Sequence, residues 1–418
     1  QNVYIGALSG RYLDDAKWNV AIGYNSMVSS SSLGNEASKN VAMGYNSLFA
    51  ITDGDNNTAI GAQALAAEDA GSNNTAIGAF ALQTQDAGAD AYNVGLGYAP
   101  GASLTTGVNN IAIGYAMTVH TTGSRNIAIG HTAMNDTNAT AAADGGAGGS
   151  PGTLASSDNV FIGFLAGGGT WTGSDSQYNV AIGNNTLSGA MNGAAYNVAL
   201  GHDAGKSITT GSGNIVIGYD CGDELTTGQS NTFMGYGAGH AAVDGNGNTL
   251  IGYLAGANIT SGAENTIIGY DCDVASNDNT NNVVIGHELT ATDKDNAVFI
   301  GNNTNHIEND FNADATWNYS SDERQKKDIK DDTLGLDFIN DLRPVTYKHK
   351  SPSEFPKEWK AYDANDKRAM GGDKTIHGLI AQEVKQALDN QGVDTFGGWS
   401  VGDDGRQRIS AEKMVMPL

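Results

Sequence analysis

Basic residues are scarce along most of this chain. Of its 22 lysines and arginines only six lie in residues 1–320, beside 28 of the 46 acidic residues, a net of −22 in that stretch. Such a surface repels phosphate backbones and excludes nucleic acid as a partner of the N-terminal part. The ordinary consequence of the acidity is solubility of a repetitive surface; attraction of cations is the less ordinary one. No run of 18 apolar residues occurs, so no membrane-spanning helix is expected. Calcium-binding GGxGxDxUx nonapeptides are absent, and no paired carboxylates stand out as a polysaccharide-cleaving site. No cofactor motif and no metal-ligand cluster is read. The chain opens with Gln1 inside a repeat and shows no signal peptide, as an excerpt of a longer protein would.

What is present is repetition. Asn, then Val/Ile/Thr, a variable residue, Ile/Leu/Met and Gly recur from NVYIG at Asn2 to NVVIG at Asn282, and AVFIG at Ala297 is a seventeenth copy without the Asn. From Asn197 to Asn282 the step is 17 residues five times running; earlier steps are 16 to 21, with one gap of 33 between Asn126 and Asn159. The residues one and three before the Gly are aliphatic or β-branched, which predicts one short strand per repeat with those two residues on its buried face. The Gly supplies freedom at a corner, and Asn-, Asp- and Gly-rich turns fill the rest. So short a repeat cannot bury its own apolar face, and stacking must do it. The expected architecture over residues 1–304 is a mainly β fold, a parallel β-roll or β-solenoid. Seventeen rungs at about 4.8 Å each make a rod roughly 80 Å long.

The middle residue of the strand, Ala or Gly in most early copies and Val216, Phe233, Leu250, Ile267, Val284 and Phe299 later, is expected on the opposite face. An apolar residue there on every rung calls for cover by a partner chain, most simply in a parallel homotrimer.

Other features are weighed against the same ladder. An aromatic or histidine stripe follows the Gly: Tyr24, Tyr45, Tyr98, Tyr115, His131, Phe164, His202, Tyr219, Tyr236, Tyr253, Tyr270 and His287. Stacked rings at rung spacing form a structural ladder, the favoured reading, or a sugar platform. The three histidines are too many rungs apart to share a metal on one chain. Cys221 and Cys272 are 51 residues apart, three steps of 17, hence about 14 Å apart at rung spacing and beyond the reach of a disulfide. Residues 132–158 hold the low-complexity run TNATAAADGGAGGSPG, expected as a loop insertion.

After Asn305 the repeats stop. Residues 305–320 read as a connector with a single strand. Asp331–Leu342 reads as a helix capped by Asp332 or Thr333, with Leu334, Leu336, Phe338 and Ile339 on its apolar face; VTYKHK is a strand, and 350–373 a charged loop. HGLIAQEVKQALDNQG is a strand entry and a helix stopped at Gly392, WSVGDDGRQRIS a hairpin, and a last helix begins near Ser410. This is a small α+β domain.

Two resemblances rest on these residues. The unit NTAIGxxAL…TTGSNN resembles the head repeats of trimeric autotransporter adhesins and of many phage tail fibres, which form trimeric left-handed parallel β-rolls. SDERQKKDI, LDFINDLRPVTYKHK, HGLIAQEVKQAL and the hairpin before ISAEKMVMPL are similar, in order over residues 321–418, to the C-terminal intramolecular chaperone domain of endosialidases and other phage fibres and spikes. The long C-terminal helices of that family are mostly missing after Leu418.

The second resemblance implies trimer assembly followed by self-cleavage before the Ser of the SDxRxK motif, between Ser320 and Ser321. It implies Ser321 as nucleophile and Lys326 as its base in a Ser–Lys dyad, with Asp322 and Arg324 shaping the turn. Lys327 is the variable neighbour and His377 a runner-up base. Taken alone, SDERQKK reads first as a helix start with dipole-complementing charges, and the surrounding domain motifs reverse that preference. The function implied is a trimeric host-attachment fibre of a virion, facing an unidentified surface receptor, an enzyme only in the single-turnover autoproteolytic sense. A bacterial surface adhesin with the same two parts and a glycan depolymerase spike are the alternatives.

Overall fold

A computed structural model describes the chain except residues 14, 30–34, 136–154, 172, 312–317, 320–326, 328–333, 358–361, 366, 368–374, 395, 397, 402–405 and 410–418. It divides into two units, Gln1–Ser320 and Ser321–Leu418.

The first unit is a parallel β-solenoid. Seventeen short strands, the first Val3–Ile5 and the last Ala297–Gly301, pair in parallel, each with the strand one repeat on. Pairing is in register throughout, so that Ile215, Val216 and Ile217 face Thr232, Phe233 and Met234. The strand Ile127–His131 pairs directly with Val160–Ile162, and the insertion between them therefore leaves the ladder unbroken. At the far end the strand His306–Asp310 runs antiparallel to Ala297–Gly301, and Asn318–Tyr319 runs antiparallel to it in turn. The parallel stack is closed there by one reversed strand in the connector, with Asn318–Tyr319 added on its outer side in the direction of the stack.

The faces of the strands are the reverse of the sequence expectation. From Ala21 to Phe299 the middle residue of every rung is buried, and the aliphatic residues flanking it are half-buried or exposed. The reason lies in the turn. Where the middle residue is Ala, the fourth residue after the Gly is commonly large and fills the core in its place: Met27 opposite Ala21, Leu48 opposite Ala42, Leu65 opposite Ala59, Leu187 opposite Ala181. Where the middle residue is Phe161, Phe233 or Leu250, that turn position is Gly167, Gly239 or Gly256. In these rungs the two positions share one slice of the core, and where both are small, as at Gly95 with Gly101 and Ala199 with Gly205, leucines and isoleucines such as Leu82 and Ile208 lie against the second glycine.

In all but one rung the Gly of the repeat is required twice over. Gly23 has φ of 137°, a region open to glycine alone, and a β-carbon on it would lie 2.5 Å from the carbonyl oxygen of Gly44 in the next rung. The turns also hold non-glycine residues at left-handed φ, among them Asn46 and Leu48.

A ladder of asparagines holds the rungs in register. From Asn19 to Asn282 each Asn of the repeat is buried, and through Asn265 its Oδ1 accepts the backbone N–H of the Asn one rung on, as Asn214 does from Asn231 at 3.0 Å and Asn231 from Asn248 at 2.8 Å. In most rungs its Nδ2 donates to a turn carbonyl, Asn231 to Gly245 at 2.8 Å, while Asn74 donates to the Glu68 carboxylate. Ala297 still donates its N–H to Asn282, but its strand is followed by an antiparallel one. No further parallel rung needs an acceptor, and the seventeenth copy dispenses with the Asn.

Both cysteines are free and buried, and burial pushes the Cys221 thiol up to about 12.

The second unit is a small α+β domain. Helix α1 spans Leu336–Asp341 and α2 spans Ala381–Asn390; strands Val345–Tyr347 and Ile376–Gly378 pair antiparallel, as do Trp399–Val401 and Gln407–Ile409. Leu334, Phe338, Val384, Ala387 and Leu388 form its core. α1 starts later than the sequence suggests, with Gly335 at its N-cap, and Leu336, expected on the apolar face, is 75% exposed. Gly392, at φ of 67°, follows α2 where the sequence places its stop. Asp332 and Thr333, the expected caps, and the expected last helix from Ser410 lie outside the described residues. Within 350–373, taken from the sequence as a plain loop, Pro352–Glu354 makes a short 3-10 turn capped by Ser351. Among the described residues no helix is long and apolar enough to cross a membrane.

Candidate functional site: an outer face and a cleavage segment

Two places bear on function. The first is the outer face of the solenoid. In each of the seventeen rungs the residues three and one before the Gly and the one after it point the same way, 51 positions in all. None of them is buried, and none is Asp, Glu, Lys or Arg. Residues 1–320 hold 34 charged side chains; every one lies elsewhere. Two columns, one aliphatic and one mixing Val and Ile with five threonines, thus run beside the aromatic one, and Ile182, Ile268, Ile285 and Met234 are each 37–42% exposed. An apolar stripe of this length far exceeds the patches a monomer leaves in water.

The aromatic column is a stack. His202, Tyr219, Tyr236, Tyr253, Tyr270 and His287 follow one another at centroid distances of 5.0–5.3 Å with nearly parallel planes. Tyr98, Tyr115, His131 and Phe164 make a shorter run at 5.4–6.2 Å. Within each run the ring faces are occupied by one another, which suits a structural ladder.

The second place is the start of the C-terminal unit. Ser320, Ser321, Asp322, Arg324 and Lys326 lie outside the described residues. Lys327 is exposed, and His377 is exposed in the strand Ile376–Gly378, paired with Thr346. The domain is braced by Arg343, whose guanidinium makes a two-pronged contact with Glu383 of α2, Nε donating to Oε2 at 3.1 Å. The carboxylate raises the already high pKa of Arg343. That pair joins the LRP and AQE segments. Lys385 lies over the Trp399 ring at 5.5 Å and ties α2 to the hairpin.

Sequence reasoning missed the Asn ladder, the outward direction of the aliphatic residues and the Arg343–Glu383 brace. The Asn at the head of all but the last copy was the available signal for the first.

Residues 321–393 match the family described as chaperone of endosialidase. No curated protein and no solved structure was found to match the chain. A β-solenoid joined to a domain similar to that chaperone is the make-up of a fibre or spike with an assembly domain at its end.

Proposed function

We propose that the chain is one of three in a tail-fibre or spike of a virion that attaches to a host surface, that its C-terminal unit helps the three shafts assemble, and that this unit then cuts itself off. The observation that carries the trimer is the outer face: 51 positions without a formal charge on a chain otherwise dense in carboxylates. Burying that face between copies removes apolar surface from water at about 25 cal/mol per Å². The occupant is a second and third copy because the same stripe is present along every rung, and self-association matches apolar column to apolar column over the whole length.

For the cleavage, Lys326 in its neutral form takes the proton of the Ser321 hydroxyl, and Oγ attacks the Ser320 carbonyl carbon. The C–N bond to Ser321 breaks and its nitrogen gains the proton, leaving an ester between Ser320 and the Ser321 oxygen. Water hydrolyses that ester to a shaft ending at Ser320 and a released domain beginning at Ser321. Asp322 and Arg324 hold the turn. The cut falls after Asn318–Tyr319, so both connector strands that close the solenoid stay with the shaft.

Intact-mass measurement of the natural full-length chain beside Ser321→Ala and Lys326→Met tests this. The expected result is two fragments divided between Ser320 and Ser321 in the wild type and whole chains in both variants. A wild type that stays whole, or a Ser321→Ala chain that still splits at that bond, overturns the cleavage. A cleaved shaft that light scattering shows to be monomeric overturns the trimer independently.

A further inference from the structure

We propose that His202, Asp203 and Asp220 form a binding site for a divalent transition-metal ion, one per chain. No spacing in the sequence announces it, because the ligands come from two rungs. Asp203 and Asp220 occupy the same turn position in consecutive repeats, both at left-handed φ of 56° and 48°, and their carboxylates are therefore stacked one rung apart. His202 stands at the neighbouring position on the outer face. One oxygen of each carboxylate and an imidazole nitrogen all lie within 4.8 Å of one another.

Like charges set directly opposite on neighbouring strands repel. Here the compensation supplied by the protein is incomplete. Lys206 reaches Asp203 Oδ2 at 3.5 Å, but it is shared with Asp223, which it meets at 3.1 Å. Asp203 Oδ1 is cut off from solvent and accepts no hydrogen bond, although His202 Nδ1 is 3.2 Å away. A shielded acceptor oxygen without a donor is costly unless something electropositive meets it. A cation among the three groups satisfies that oxygen, relieves the stacked carboxylates and takes the imidazole lone pair.

One nitrogen and two carboxylate oxygens make a borderline-to-hard ligand set, suited to Zn²⁺ or Mn²⁺ with water completing the shell. The only other such cluster among the described residues, Glu68 with Asp69 and Asp86, is all carboxylate, and its Glu68 is already engaged by Gly71 and Asn74. The histidine distinguishes the proposed site.

The repeat itself supplies harmless variants. The preceding rung carries Asn184–Asn185 where this one carries His202–Asp203, and Asn185 has the same left-handed backbone, with φ of 56°. His202→Asn with Asp203→Asn, and Asp220→Asn alone, therefore fit the fold. Calorimetric titration of the full-length chain, stripped with chelator, with Zn²⁺ and separately with Mn²⁺ is the test. The expected result is one site per chain for at least one of the ions, at least tenfold weaker in Asp220→Asn and absent in the double variant. Lys206→Met, which removes the competing ammonium, should bind more tightly than wild type. No binding by either ion in the wild type, or binding that survives unchanged in both asparagine variants, overturns the proposal.

Discussion

Phe233 and Gly239 share one slice of the solenoid core: a β-carbon on Gly239 would lie 2.7 Å from the Phe233 ring. The same exclusion holds between Phe161 and Gly167 at 2.9 Å and, at the first rung, between Tyr4 and Gly10 at 2.6 Å. Rungs built on Ala21 or Ala42 solve the same volume with Met27 or Leu48.

Because the two positions share one volume, their substitutions should not add. Gly239→Leu alone overpacks the slice and should cost about 2–4 kcal/mol, the left-handed backbone contributing about 1 of these. Phe233→Ala alone opens a cavity worth about 3–5 kcal/mol. Together they recreate the Ala/Leu pairing of earlier rungs, and the double variant should recover at least half of the loss in Phe233→Ala. Thermal unfolding of the four proteins gives the coupling; simple additivity would show that the two side chains do not exchange space.

That exchange also explains where sequence reading succeeded and where it failed. The period, the seventeen rungs and the parallel register are legible because Gly at φ near 137° tolerates no substitute and recurs visibly. The small α+β domain is legible from Gly392 and the apolar spacing of α2. The direction of the strand faces is not. Aliphatic residues at Val20 and Ile22 beside a small Ala21 follow the usual pattern of a buried pair, and only the partner volume at Met27, six residues after Ala21, reverses it. A large residue pointing outward on a single chain has the sequence signature of a core residue. The proposed metal site was illegible for a related reason: Asp220 meets His202 only through the rung step.

The asparagine ladder should be unforgiving at any interior rung. Asn231→Ala removes the acceptor of the Asn248 N–H and the donor to Gly245 O, both in the buried interior. Two buried groups without partners should cost about 2–4 kcal/mol. Asn231→Asp keeps the acceptor but buries a charge and loses the donor. It should be destabilised at neutral pH and partly restored when acid protonates the carboxyl. Denaturant melts of both variants at two pH values decide this; equal stability to wild type would mean that backbone pairing alone holds the register.

Charge on the outer face should separate folding from assembly. Ile217 and Ile251 are half-buried on that face, and their side chains lie outside the monomer core. Ile217→Lys with Ile251→Lys should leave the β-solenoid circular-dichroism signature of each chain intact while shifting the light-scattering mass from three chains to one. A trimer that persists in this variant would place the contact between copies on another face.

Glu68 provides a pH dependence whose sign can be worked out. It occupies the corner column that is apolar at Ile51 in the rung before and at Leu104 two rungs on, and it is fully buried. Burial first, and then Asp86 and Asp69, push its carboxyl from 4.5 to about 7, against the hydrogen bond from the Gly71 N–H. A carboxyl with a raised folded pKa holds its proton longer in the folded chain than in the unfolded one. Its contribution is therefore most favourable below about 4.5, is lost as pH rises from there to about 7, and stays lost above. At roughly 1.4 kcal/mol per unit the swing is on the order of 3 kcal/mol. Asp86, whose carboxyl is also raised by partial burial and by Asp69, adds in the same direction. The next rung carries Gln85 at the equivalent place, its Oε1 accepting from Asn93 at 2.9 Å, so Glu68→Gln should be accepted by the same geometry. The variant should melt higher than wild type at pH 8, approach it near pH 4.5, and show a flatter profile between. Parallel profiles for the two proteins would mean that Glu68 titrates as an ordinary surface carboxyl.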